Sequence, residues 1–203
     1  MNKLLMSLVL CLGVAGSAHA MQGDAEAGAG KVAMCAACHG ADGNSALPNF
    51  PKLAGLGEKY LYKQLLDVQE GRRVIVEMTG MLSSFDEQDL RDIAAFYDTQ
   101  TPAPGVANDA ELVARGEAIF RGGDLATGLP ACTGCHSPTG SGNDLAGYPR
   151  LAGQHATYTT TQLTNFREGV RQNDGDIMVM RTIASRLSNK DIEAVSAYIQ
   201  GLR

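Results

Sequence analysis

Two pentapeptides of the form CxxCH, Cys35-Ala36-Ala37-Cys38-His39 and Cys132-Thr133-Gly134-Cys135-His136, stand 97 residues apart and use every cysteine of the chain except Cys11. On a helical turn, positions i, i+3 and i+4 share a face. Two thiols so placed reach the vinyl groups of a porphyrin, and the following imidazole turns under the ring toward its iron, which is why this spacing marks covalent attachment of c-type haem. A four-cysteine zinc site would leave both histidines without a purpose. A thioredoxin-like redox pair would need a βαβ context that the sequence does not show. The cofactor expectation is therefore two covalent haem c groups, held by Cys35, Cys38, Cys132 and Cys135, with His39 and His136 as one axial ligand of each iron.

The first twenty residues read as a secretory signal. Lys3 gives a basic start, Leu4 to Gly16 an apolar stretch, and Ala18-His19-Ala20 a small-x-small cleavage site. The apolar stretch is too short to span a bilayer comfortably, and no later segment is long and apolar enough. Cleavage after Ala20 would remove Cys11 and leave 183 of the 203 residues, an exported chain with no free thiol beyond the haem motifs. That length suits two small units better than one. Units of this size have little core of their own, and a buried porphyrin supplies apolar surface to pack on.

The chain also repeats itself. Phe50-Pro51-Lys52-Leu53-Ala54-Gly55 returns as Tyr148-Pro149-Arg150-Leu151-Ala152-Gly153, and Tyr60, Gln64, Leu65 and Gly71 fall opposite Tyr158, Gln162, Leu163 and Gly169, all at an offset of 98. Near each end, Asp89-Leu90-Arg91-Asp92-Ile93 matches Asp191-Ile192-Glu193-Ala194-Val195 at an offset of 102. The expected division is a signal over 1–20, an N-terminal domain over 21–98, a Pro- and Gly-bearing linker over 99–108 and a C-terminal domain over 109–203. Each half is predicted to hold an N-terminal helix (Asp24 to Ala33, Asp109 to Phe120), the CxxCH turn, a Gly- and Pro-rich loop, a middle helix and a last helix, with essentially no strand. Asp86 and Ser188, three residues before Asp89 and Asp191, suggest capping boxes for the last helices. Leu90, Ile93, Ala94 and Tyr97, matched by Ile192, Val195, Ser196 and Ile199, mark the buried stripe of each.

The second axial ligand decides between electron carriage and catalysis. Met21, Met34, Met78, Met81, Met178, Met180 and His155 are what the mature chain offers. Counting back eleven residues from Asp89 and Asp191 reaches Met78 and Met180, a pair in the register of the last helix, whereas Met81 falls opposite Ile183 and Met178 opposite Val76. Met78 and Met180 are the expected ligands, with Met81 and Met178 as near-neighbour alternatives; thioether ligation raises the reduction potential relative to a second imidazole. His155 has no counterpart, falling opposite Gly57, and is read as polar or surface. Pro51 and Pro149, in matched loops after each CxxCH, resemble the prolines whose carbonyls accept from the ligating histidine in related cytochromes. Lys52, Arg150, Tyr60, Tyr158, Gln64 and Gln162 are divided between packing or solvation and contacts to haem carboxylates.

These residues resemble those of a family, the dihaem cytochromes c4, exported bacterial proteins made of two class I cytochrome c domains. The likeness runs from Gly23-Asp24-Ala25 to Leu202 and includes NFPKLAG (49–55), EMTGML (77–82), ACTGCHSP (131–138), QLTNFREG (162–169) and LSNKDIEA (187–194). It implies an all-α tandem of class I cytochrome c-like domains, each wrapped around one covalent haem, with the haems facing each other and both irons His/Met ligated. It further implies periplasmic electron transfer between respiratory donors and a terminal oxidase or similar acceptor, with other cytochromes or dehydrogenases as redox partners. Alternatives are a haem subunit of a larger dehydrogenase complex and a dihaem peroxidase or thiosulfate-oxidising enzyme. Two saturated irons, and a mature chain without a spare cysteine ligand, argue against the enzymes. Residues 21–100 hold 7 Lys and Arg against 12 Asp and Glu, and residues 101–203 hold 9 against 10, so the first half is the more acidic. Nothing in this balance suits nucleic acid. A loose association with the membrane, with no transmembrane helix in the mature chain, is compatible with this sequence.

Overall fold

The computed structural model describes residues 22–203, so the signal sequence and its cleavage site lie outside the described residues. The N-terminal half runs through α1 (Ala25–Ala29), α2 (Ala36–His39), α3 (Glu58–Gln69), a 3-10 turn at Val76–Met78 and α4 (Glu87–Thr99). The C-terminal half follows with α5 (Ala110–Gly122), α6 (Thr133–His136), α7 (Ala156–Arg167), α8 (Val179–Ala184) and α9 (Asn189–Gly201). Two isolated antiparallel bridges, Asp124 with Leu129 and Asn143 with Tyr148, are the only β pairing among the described residues.

Local chemistry sets the helix starts. The Asp24 carboxylate accepts from the N–H groups of Glu26 and Ala27, and Asp109 does the same for Glu111 and Leu112, each satisfying donors that a first helical turn leaves open. Asp86 and Asp89 form a full capping box on α4, as do Ser188 and Asp191 on α9. The first helix is shorter than its pattern suggests. It stops at Ala29 instead of reaching Ala33, because the Gly30 N–H donates to the Ala27 carbonyl and the Lys31 N–H to the Gly28 carbonyl, closing the last turn, and the chain then turns toward Cys35.

Each half is built on a crossing of its first and last helices. Leu90, Ile93, Ala94 and Tyr97 of α4, and Ile192, Val195, Ser196 and Ile199 of α9, are all at most 3% exposed. Burial of each large side chain in these stripes stabilises by roughly 1.5–3 kcal/mol. The N-terminal core gathers Val32, Leu61, Ile93 and Tyr97 with Cys35, Leu53 and Leu65 at its margin. The C-terminal core gathers Ile119, Phe120, Leu129, Ile192 and Val195 with Cys132, Leu151 and Leu163 at its margin. The first cysteine of each haem motif thus borders a core.

The loop after each CxxCH folds back in the same way in both halves. The Gly43 carbonyl accepts from Leu53 and Ala54, and the Gly140 carbonyl from Leu151 and Ala152. Both glycines have positive φ, 75° and 66°, and a side chain there would strike Tyr97 or Leu202 respectively. The loop is then tied to the last helix by Gly55 N–H on Tyr97 O and by Gly153 N–H on Ile199 O, both at 2.9 Å.

Candidate haem sites

The CxxCH segments form single helical turns. Cys35 precedes α2 and Cys132 precedes α6, and the His39 and His136 amides each donate to the carbonyl of that first cysteine at 2.9 Å. This brings thiol, thiol and imidazole onto one face. All four thiols are unpaired and partly buried. Burial pushes the Cys35 thiol up, and the Cys132 thiol up to about 11. No group of three or more His, Cys, Asp or Glu that could hold a metal ion converges among the described residues, so the cysteines do not form a zinc-type cluster.

The imidazoles are oriented by the prolines the repeat singled out. His39 Nδ1 lies 2.9 Å from the Pro51 carbonyl, and His136 Nδ1 lies 2.9 Å from the Pro149 carbonyl. A carbonyl only accepts, so Nδ1 carries the proton and Nε2 keeps its lone pair, the arrangement of a metal-ligating histidine held by an outer partner. Phe50 and Tyr148, each one residue before its proline, place ring edges near the imidazoles at centroid distances of 6.2 and 6.1 Å. Both histidines are under 10% exposed. Burial holds their pKa values below the usual imidazole range, against the opposite pull of the proline carbonyls. Neutral imidazole is what iron needs.

Met78 ends the 3-10 turn and Met180 lies in the first turn of α8; both are half-buried. The segment after Met78 is pinned by Gln69, whose Nε2 donates to the Leu82 and Phe85 carbonyls at 2.8 and 2.7 Å. The turn carrying Met180 is pinned by Asp174, which accepts from the Arg181 amide at 2.9 Å and from its Nε at 2.6 Å. Met178 is 46% exposed and sits in left-handed backbone. The buried Ser196 hydroxyl has no hydrogen-bond partner among the described residues, and the buried Tyr97 hydroxyl faces the Cys35 thiol. Thiols in no disulfide, bare Nε2 atoms and an orphaned hydroxyl beside the same cores fit a large, mostly apolar group carrying a few polar atoms, as haem is. When bound, haem supplies a one-electron iron centre; the chain supplies attachment, axial donors and a dry setting.

The remaining residues from the sequence divide differently. Lys52 Nζ donates to the Ala103 carbonyl at 3.0 Å and Arg150 Nε to the Ala152 carbonyl at 3.3 Å, so both cations brace loops. His155 is half-buried and bonds through Nε2 to the Ser45 carbonyl at 2.8 Å, while Ser45 Oγ donates to Cys38 O at 2.7 Å. Gln154 spans the halves by a reciprocal pair, accepting from Lys52 N–H and donating to Lys52 O, each at 2.9 Å. Tyr60, Gln64, Tyr158 and Gln162 meet between the halves around Arg73 and Arg171, two arginines that the sequence reading passed over. They too are paired at an offset of 98, so extending the comparison two residues beyond Gly71 and Gly169 finds them.

Two helical units, each with a CxxCH turn, a carbonyl-oriented histidine and the same loop return, define a tandem c-type cytochrome. The cytochrome c family model matches the chain twice, over residues 25–101 and 113–203. The chain is 62% identical to cytochrome c4 of Pseudomonas aeruginosa over the full length of both. The crystal structure of reduced recombinant cytochrome c4 from Pseudomonas stutzeri superposes with a TM-score of 0.88 at 61% identity, covering 89% of this chain and all of that one. A more distant relative, named as a thiosulfate dehydrogenase electron acceptor, from Thiomonas intermedia, is 33% identical over 83% of this chain and 78% of its own. The chain belongs to the dihaem cytochrome c4 family: an electron-transfer protein with two covalent haem c groups, its CxxCH cysteines at 35/38 and 132/135.

Proposed function

We propose that the protein is a periplasmic electron carrier without a substrate of its own, its irons ligated by His39 with Met78 and by His136 with Met180. The observation that carries this reading is the duplication: two buried, neutral imidazoles aimed alike, each in a domain whose methionine sits eleven residues before the same position of the last helix. Two saturated irons leave no coordination position for peroxide or another substrate. The domain boundaries follow the repeat, with 21–98 and 109–203 flanking a linker over 99–108, and residues 1–20 serve as the export signal. No helix among the described residues is long and apolar enough to cross a membrane. Electrons pass between respiratory donors and a terminal oxidase or similar acceptor.

A second reading, an electron-accepting subunit serving a dehydrogenase, is favoured by the Thiomonas intermedia relative. Copurification of a dehydrogenase from the native host separates it from a free carrier. The ligand assignment is tested by replacing Met78 or Met180 with histidine. Each change should lower one haem's potential and remove half of the near-infrared sulfur-to-iron band of the oxidised protein. Loss of that band with Met81→Leu or Met178→Leu, and its survival in the Met78 and Met180 variants, would overturn the assignment.

A further inference from the structure

The peptide unit that joins Pro51 to Lys52 is held at both of its polar ends. Its carbonyl, that of Pro51, accepts from His39 Nδ1 at 2.9 Å. Its N–H, that of Lys52, donates to Oε1 of Gln154 in the other domain, also at 2.9 Å. Gln154 is 6% exposed, and its partners fix which way its amide faces: Nε2 donates to the Lys52 carbonyl at 2.9 Å, and Oε1 accepts a second bond from the His155 N–H at 3.1 Å. A flipped amide would set an NH2 group against two N–H donors. A continuous run of hydrogen bonds thus leads from His39 through one peptide to Gln154 across the boundary.

The second half repeats the run with a weaker last link. The Pro149 carbonyl accepts from His136 Nδ1 at 2.9 Å, and the N–H of the same peptide, that of Arg150, donates across the boundary to the Leu56 carbonyl at 3.3 Å. Leu56 and Gln154 are one position of the repeat, 98 residues apart. Each domain therefore lends the other an acceptor from the same place, one from a side chain at the preferred N–H···O length and one from backbone beyond the usual range.

Hydrogen bonds that share a peptide reinforce each other. An N–H that donates leaves the carbonyl of its unit more negative and a better acceptor, by roughly 10–30% per bond. A better acceptor at Nδ1 draws the imidazole toward imidazolate and makes Nε2 a more basic donor to iron. A more basic axial donor favours the oxidised iron and lowers the potential. Taken through one peptide, the effect on the ratio of oxidised to reduced haem is up to about fivefold.

We propose that Gln154 is a positioning residue for the first haem: from the second domain it strengthens the bond that holds His39 and so lowers that haem's potential, while the backbone contact of Leu56 does the same more weakly for the second haem. The proposal rests on His39 as an axial ligand. It is independent of which methionines complete the irons and of where the haem carboxylates lie, since every bond in the run joins two groups of the chain.

The test combines an optical redox titration of the haem-loaded full chain with nuclear magnetic resonance of its reduced form. Gln154→Met keeps the length of the side chain and removes the amide. It should raise one midpoint, by a change of up to about fivefold in the oxidised-to-reduced ratio at fixed potential, and leave the other in place. The His39 Nδ1 proton should move upfield as its bond weakens, and the His136 Nδ1 proton should stay. Gln154→Glu keeps an oxygen for the Lys52 N–H and gives it charge, so the same midpoint and the same proton should move the opposite way; this variant decides alone if Gln154→Met does not assemble. Equal displacement of both midpoints, two unmoved midpoints, or a midpoint that moves while the His39 proton stays, as simple loosening of the boundary would give, would each overturn the proposal. Ligation is read separately in the native protein: without a strong upfield ring-current shift of the His39 ring protons, the ligand assignment itself fails.

Discussion

Gly28 lies so close to the backbone of Asp92 that a methyl group on its Cα would stand 2.0 Å from the Asp92 carbonyl oxygen. Gly116 meets Ala194 in the same way, at 2.1 Å. These two contacts let the first and last helices of each domain cross with their backbones nearly touching, which in turn seats the CxxCH turn against the last helix.

Gly28→Ala and Gly116→Ala should therefore each destabilise their domain by about 3 kcal/mol or more, because the obstructing atoms are backbone and cannot turn aside. Gly122→Ala offers the contrast. It lies at the end of α5 with open space where a methyl would go, and should be neutral or stabilising by up to about 1 kcal/mol. Thermal unfolding of the haem-loaded variants checks both, and equal losses at Gly116 and Gly122 would remove the crossing argument.

Much of the architecture was legible because duplication exposes it. Cys35, His39, Pro51 and their partners at 132, 136 and 149 announce themselves through spacing, and the buried stripes of α4 and α9 follow from period alone. Gly28 and Gly116 were not legible. A glycine in a helix reads as a weak point until the neighbour that needs the space is known. Lys52 and Arg150 show the complementary limit: a cation beside a haem loop looks the same in sequence whether it faces solvent, a carboxylate or, as here, a backbone carbonyl. Asp67 and Asn173 carried no signal, since their counterparts Asn165 and Ile75 break the repeat.

Acid should weaken the domain boundary in two separate windows. His155, bonded to Ser45, has its pKa lowered by burial, so the unfolded chain takes up the proton first. Stability linked to His155 is full above its ordinary value of 6.5 and falls as pH drops from there through the folded value. For Asp67, burial acts upward but Lys63, Arg72 and Asn173 hold the carboxyl below its ordinary 3.8, so its contribution is full above 3.8 and is lost as pH falls through the folded value. Unfolding midpoints measured from pH 7 to pH 2 should show both steps. His155→Gln should erase the upper one and Asp67→Asn the lower one. Asp67→Asn should also cost about 1–3 kcal/mol at neutral pH, although asparagine fits, as Asn165 does in the other half.

Gln154→Leu should loosen the boundary without altering either haem turn. Leucine suits the site, since the matching residue is Leu56, but the Lys52 amide and carbonyl would each lose a partner at 2.9 Å. Leaving two partly buried backbone groups unpaired costs about 1–3 kcal/mol for each that water fails to reach. Hydrogen exchange should report faster opening at Lys52, with the optical spectrum unchanged. Unaltered exchange at Lys52 would show that the clasp contributes nothing.

A carrier with closed irons should exchange electrons quickly with small mediators and with a terminal oxidase, and show negligible turnover of hydrogen peroxide or thiosulfate. The acidic excess lies in residues 21–100, with 12 Asp and Glu against 7 Lys and Arg. Attraction between that half and a basic partner is screened by salt, over a Debye length of about 8 Å at physiological ionic strength. The reaction rate should accordingly fall as salt rises. Neutralising exposed acids such as Glu26, Glu70 and Glu77 should flatten that dependence more than neutralising Glu117, Asp124 and Glu168 of the second half. Stopped-flow measurements over a range of ionic strength read out the difference. Equal flattening by the two sets would remove the steering role of the first half, and robust peroxide turnover by the native protein would overturn the carrier function itself.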